Sequence, residues 1–155
     1  MSPAHLASAV LFALLTAASA IDIRTRRLPD WLNAIIFGCG LCAVWMLERS
    51  LLDSLIGAAL GYGAIYALNA LFLRARGHDA IGMGDAKLAA ALGAWIGWFG
   101  LPFAALIAAS LGLVFAAAAR LMQGNASGAW REHALAFGPF LAFGGFIVWL
   151  ALIYT

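Results

Sequence analysis

Long apolar runs, separated by short polar clusters, set the plan of this chain. They fall at about 4–21, 31–47, 51–73, 86–100, 101–122 and 134–154. A helix needs roughly 20 apolar residues to cross a bilayer, so the pattern predicts an all-α polytopic membrane bundle with about six transmembrane helices. Alanine, leucine and glycine dominate the runs, as expected where helices pack closely in lipid. Gly57, Gly61 and Gly63 mark an expected close contact between helices. Pro102 is the expected turn between the fourth and fifth spans, because proline cannot donate a hydrogen bond inside a helix.

Composition narrows the class. Apolar residues make up 65% of the 155 and charged residues only 10%, against about a quarter charged in soluble domains. Mean hydropathy is +0.97. Six spans use almost the whole length, so residues 1–155 are read as a single membrane domain whose surrounding partner is lipid. A net charge of +2 gives no reason to expect a nucleic-acid partner. Cys39 and Cys42 have C-x-x-C spacing, but a zinc site usually takes four ligands, and no second pair or histidine stands near them. They read as small residues within a span. His5, His78 and His133 are scattered, and neither a metal site nor a cofactor is expected.

Charge placement gives orientation. The first run ends in Ala18-Ser19-Ala20 and so imitates a signal peptide, but its basic residues follow the apolar stretch instead of preceding it. It reads as a retained span. Arg24, Arg26, Arg27, Arg74, Arg76, Lys87, Arg120 and Arg131 fall on one side of the six-span plan, and only Arg49 falls on the other. By the positive-inside rule the three basic loops face the cytoplasm and both termini face the periplasm. The stretch Gln123–His133 reads as a mobile cytoplasmic loop. The Asn125-Ala126-Ser127 sequon within it is discounted on that ground, and the six tryptophans read as interface anchors and packing residues.

Seven acidic residues carry what chemistry there is. Glu48 and Asp53 flank the outer loop between the second and third runs, Asp79 and Glu132 fall in cytoplasmic loops, and none needs a special role. Asp22 closes the first run and Asp85 opens the fourth, both at cytoplasmic ends. Carboxylates at such depth are costly, and are usually paired, solvated or functional. Two facing carboxylates tend to hold one proton between them. One can then take a proton from water while the other polarises a carbonyl, which suits peptide hydrolysis without a metal. Gly82 and Gly84 would permit unusual backbone conformations beside a passing substrate strand. A plain loop whose Asp85 caps the next helix explains that stretch equally well on its own.

Gly82-Met83-Gly84-Asp85 resembles the G-x-G-D signature of intramembrane aspartyl proteases, and the wider pattern resembles the type IV prepilin peptidases. Three stretches carry the likeness in family order: Ile21-Asp22-Ile23-Arg24 through Leu32, Gly82-Met83-Gly84-Asp85-Ala86-Lys87-Leu88, and Ala136-Phe137-Gly138-Pro139-Phe140. The resemblance implies that Asp22 and Asp85 are the catalytic pair. It also implies that the substrates are prepilins or pseudopilins of a type IV pilus, type II secretion or competence system, cut after a glycine at the cytoplasmic face of the bacterial inner membrane. Larger members carry a cytoplasmic domain with paired C-x-x-C motifs linked to N-methylation. None precedes Asp22, so peptidase activity without methyltransferase activity is expected.

Other residues keep two readings. Asp30 is the rival to Asp22, though capping of the second helix explains it. Lys87 either acts on Asp85 or the substrate, or snorkels to the interface. Pro139 either shapes the site or simply opens the last helix. Asn33 either supports the region of Asp22 or satisfies a neighbouring helix. A proton-coupled transporter with Asp22 and Asp85 as relay carboxylates is the alternative from another class, and a non-enzymatic assembly factor a third.

Overall fold

The computed structural model describes residues 2–76, 82–123 and 137–154. Among these the fold is all-helical: α1 (Pro3–Thr25), α2 (Asp30–Met46), α3 (Leu51–Arg76), α4 (Met83–Gln123) and α5 (Gly138–Tyr154). α1, α3 and α4 are long and apolar enough to cross a membrane, and α2 and α5 are shorter apolar helices. Asp79, His78, Arg131, Glu132, His133, the Gln123–His133 loop beyond Gln123 and the sequon lie outside the described residues.

Local chemistry sets the helix ends. Ser2 caps α1 through its side chain, with Pro3 in the first turn. Arg26, in the left-handed region at φ 52°, closes it. The Ser50 hydroxyl accepts the Asp53 backbone N–H at 3.2 Å and so caps α3. α2 ends in a Schellman motif, with Arg49 N–H bonding the Val44 carbonyl and Glu48 N–H that of Trp45. Glu48 sits there at φ 53°, where glycine carries no Cβ penalty. Glu48→Gly should therefore raise stability by up to about 1 kcal/mol, read as a higher melting temperature in detergent.

α4 is not one rod. Gly97 has φ 67° and ψ −179°, which breaks the helix. Leu92 lies against Gly145, while Ala104 lies against Gly144. Twelve residues of straight helix would hold those two about 18 Å apart, so the chain reverses at Gly97 and gives α4 two antiparallel arms. The turn is thus at Gly97 and not at Pro102, which lies inside helix early in the second arm. A positive φ is open to glycine and costs any other residue, whereas proline is tolerated near a helix start.

The two arms clasp α5, which runs parallel to the first and antiparallel to the second, as Phe115 against Phe140 also requires. α3 runs antiparallel to the first arm through a seam without side chains. A Cβ on Gly57 would lie 2.6 Å from the Gly93 carbonyl oxygen, and one on Gly61 2.5 Å from that of Ala89. Gly63, expected in the same contact, has nothing among the described residues within 4 Å of where a Cβ would stand. Gly57→Ala should cost about 1–3 kcal/mol by overpacking, while Gly63→Ala should be neutral or mildly stabilising. Thermal unfolding of the two variants side by side checks both.

The core is aromatic at its centre. Trp95 and Trp149 are fully buried and meet edge to face at 5.0 Å. Their indole N–H groups donate to the Ile36 carbonyl at 2.8 Å and the Ser8 hydroxyl at 3.0 Å, which ties α1, α2, α4 and α5 together. These two tryptophans are core residues, while Trp31, Trp45 and Trp98 are exposed.

Candidate active site

Three helix ends meet at one pole of the bundle: the last turn of α1, the start of α4 and the start of α5. Asp22 lies one turn before the end of α1, where its carbonyl accepts the Arg26 N–H at 2.7 Å. Its side chain points inward and is buried, as is that of Asp85 in the first turn of α4. Gly138, the first residue of α5, stands over both. A Cβ there would lie 2.5 Å from Asp22 Oδ2 and 3.4 Å from Asp85 Oδ1. Both carboxylates therefore reach one small volume, and the backbone N–H of Gly138 faces Asp22. Helix N-termini carry partial positive charge, so α5 presents its favourable end to the acidic pair.

The flanking residues take definite places. Lys87 binds Asp30 Oδ1 at 2.6 Å, joining the starts of α4 and α2. Both partners are substantially exposed, so the pair contributes at most about 1 kcal/mol. Asp30 is the first helical residue of α2, whose cap position is Pro29 with no side-chain capping bond. The expected capping role for Asp30 is thus replaced by an ion pair. Neither Gly82 nor Gly84 has a positive φ, so the expected unusual backbone is not what glycine supplies. Gly84 is helical, and a Cβ there would sit 3.1 Å from Leu28 Cβ. Its lack of a side chain makes room for the loop between α1 and α2. Among the described residues, a Cβ on Gly82 would meet only Asp85 Oδ2, at 3.9 Å.

Pro139 lines an apolar groove between α1 and α5 with Phe12, Leu15, Phe143 and Phe146. The residue that touches the pair is its neighbour, Gly138. Sequence reading picked out the Phe-Gly-Pro-Phe stretch but fixed on the proline. The glycine, at the boundary between loop and apolar run, was the usable signal. Asn33 is buried near the start of α2, and among the described residues neither of its amide atoms has a hydrogen-bond partner; nor does Asp22 Oδ2. Cys39 and Cys42 are free thiols on α2.

Chemically, the pole offers two carboxylates converging on one small volume, with a backbone amide beside them. That set can activate water and polarise an amide carbonyl.

Known proteins resemble this chain over most of its length. Residues 9–117 match the model of the type IV leader peptidase family. A prepilin leader peptidase/N-methyltransferase of Burkholderia pseudomallei is 44% identical over 150 residues, covering 93% of this chain and 46% of that protein. A protein of the same description from Pectobacterium carotovorum is 40% identical, covering 88% and 48%. The type 4 prepilin-like proteins leader peptide-processing enzyme of Escherichia coli is 37% identical, covering 96% and 51%. The chain spans about half the length of the curated relatives it matches. No solved structure matches it.

Proposed function

This chain belongs to the type IV leader peptidase family, and from that premise we propose that it is an aspartyl endopeptidase that removes the leader of type IV prepilins or pseudopilins. Asp22 and Asp85 are its catalytic pair. The observation that carries this reading is the convergence of both carboxylates on the point where a Gly138 side chain would stand.

In the mechanism, an ionised carboxylate takes a proton from a water between the pair, and the oxygen attacks the scissile carbonyl. The protonated partner donates a hydrogen bond to the carbonyl oxygen as charge develops there. Collapse of the tetrahedral intermediate breaks the C–N bond, and a carboxylic proton passes to the leaving amine. Water supplies every atom added. Gly138 keeps the volume between the carboxylates open for the peptide, and no metal or covalent nucleophile takes part.

The two arms of α4 bring the helical segments to six, and we read these as six crossings of the bacterial inner membrane. Segment directions gather the ends bearing Arg24, Arg26, Arg27, Arg74, Lys87 and Arg120 at the pole of the aspartates and leave Arg49 at the other. By the positive-inside rule this supports a cytoplasmic site and periplasmic termini. Prepilin-type substrates suit that arrangement, since a short polar leader precedes their membrane helix.

The test is cleavage of the host's prepilins and pseudopilins by the purified chain, with the new N-terminus read by mass spectrometry. A single cut after a glycine that precedes the apolar helix is expected. If no substrate is cut, and liposomes holding the protein instead leak protons in a way Asp22→Asn stops, the relay reading replaces this one.

A further inference from the structure

At the pole away from the aspartates, the end of α2, the start of α3 and the Gly97 turn enclose a cavity of about 190 Å³. Arg49, Ser50, Asp53, Ser54, Trp98 and Leu152 line it. Two features separate it from ordinary surface. The guanidinium of Arg49 lies 5.9 Å from the centroid of the buried Trp149 ring. Its Nη1 is buried, yet meets no hydrogen-bond acceptor among the described residues. A buried donor left unmet is costly, most of all on a charged group. Asp53, also in the lining, holds the Trp98 indole N–H at 3.2 Å through Oδ1. Among the described residues no ion pair joins Arg49 to Asp53.

The cavity therefore presents a cationic donor and an anionic acceptor that do not satisfy each other. A simple anion would answer Arg49 but face the Asp53 charge, and a simple cation would meet the reverse problem. A zwitterion with both charges on a short link answers both. Guanidinium groups favour phosphate oxygens, and a primary ammonium has N–H donors for a carboxylate. Phe99, which lines the cavity, is exposed, as are Trp45 near the end of α2 and Leu52 at the start of α3, as residues facing acyl chains would be. We propose that this cavity binds the phosphoethanolamine headgroup of a membrane lipid, with phosphate on Arg49 and ammonium on Asp53. The site is independent of the aspartate pair and belongs to the opposite leaflet.

The experiment is thermal melting of the purified full chain in detergent during titration with short-chain phosphatidylethanolamine, with phosphatidylglycerol, or with free phosphoethanolamine. The parent should be stabilised by phosphatidylethanolamine at lower concentration than by phosphatidylglycerol. Arg49→Gln should weaken the apparent affinity for both lipids by about 10-fold or more. Asp53→Asn should erase the preference between them, and it decides the matter alone if Arg49→Gln does not fold. An equal response of the parent to the two lipids overturns the proposal, as does an Arg49→Gln response like the parent's. A shift from free phosphoethanolamine equal to the lipid's would likewise overturn it, since the acyl chains would then play no part.

Discussion

Asp22→Asn and Asp85→Asn should each lower prepilin cleavage by about 10³-fold or more, while leaving the protein folded. Asparagine keeps the shape of the carboxylate but cannot pass a proton. General acid–base catalysis by one positioned group contributes about 10²–10⁴-fold, and the proposed mechanism uses each aspartate in both halves of the reaction. In that mechanism the two work as a unit, so the double variant should be no slower than either single one. Asp30→Asn loses only an exposed ion pair with Lys87 and should keep most of its activity. Single-turnover cleavage rates of the four variants, with melting temperatures to confirm folding, make the check. Persistent cleavage in Asp22→Asn would remove that residue from the mechanism.

Gly138→Ala should cost about 100-fold in kcat with little change in KM. The added methyl would lie 2.5 Å from Asp22 Oδ2, well inside contact distance, so the carboxylate must move. A displacement of 1 Å in a catalytic group can cost about 10² in rate. Gly138 has no positive φ, so alanine suits its backbone and the effect is purely local crowding. Stability should therefore hold while turnover falls. Unchanged turnover would mean that the carboxylates do not work in the position found here.

How far the sequence foretold this structure differed from element to element. Apolar runs and their polar breaks located the helices within a few residues, because each signal is local. Asp22 and Asp85 stood out since ionised groups beside long apolar runs are rare. The α4 reversal was misplaced because Pro102 is the stronger sequence signal for a break, while Gly97 is one of 17 glycines and only its conformation sets it apart. The Lys87 partner lies 57 residues away, beyond any local spacing. Gly138 escaped notice for a related reason: its role is to leave space beside side chains on two other helices. Likewise the exposed tryptophans and the buried Trp95–Trp149 pair look alike in sequence, and packing alone separates them.

Leu28 has a mechanical consequence. It lies six residues after Asp22, is buried, and rests on Gly84, next to Asp85. The link between α1 and α2 thus acts as a strap across the pole, closing a short circuit from one aspartate to the other. A thicker or thinner bilayer is accommodated by changes in helix tilt, and tilt swings a helix most at the end farthest from its pivot. Were the bundle to pivot on this strap, that excursion would fall at the far pole, and the carboxylate spacing would stay nearly independent of the surrounding membrane.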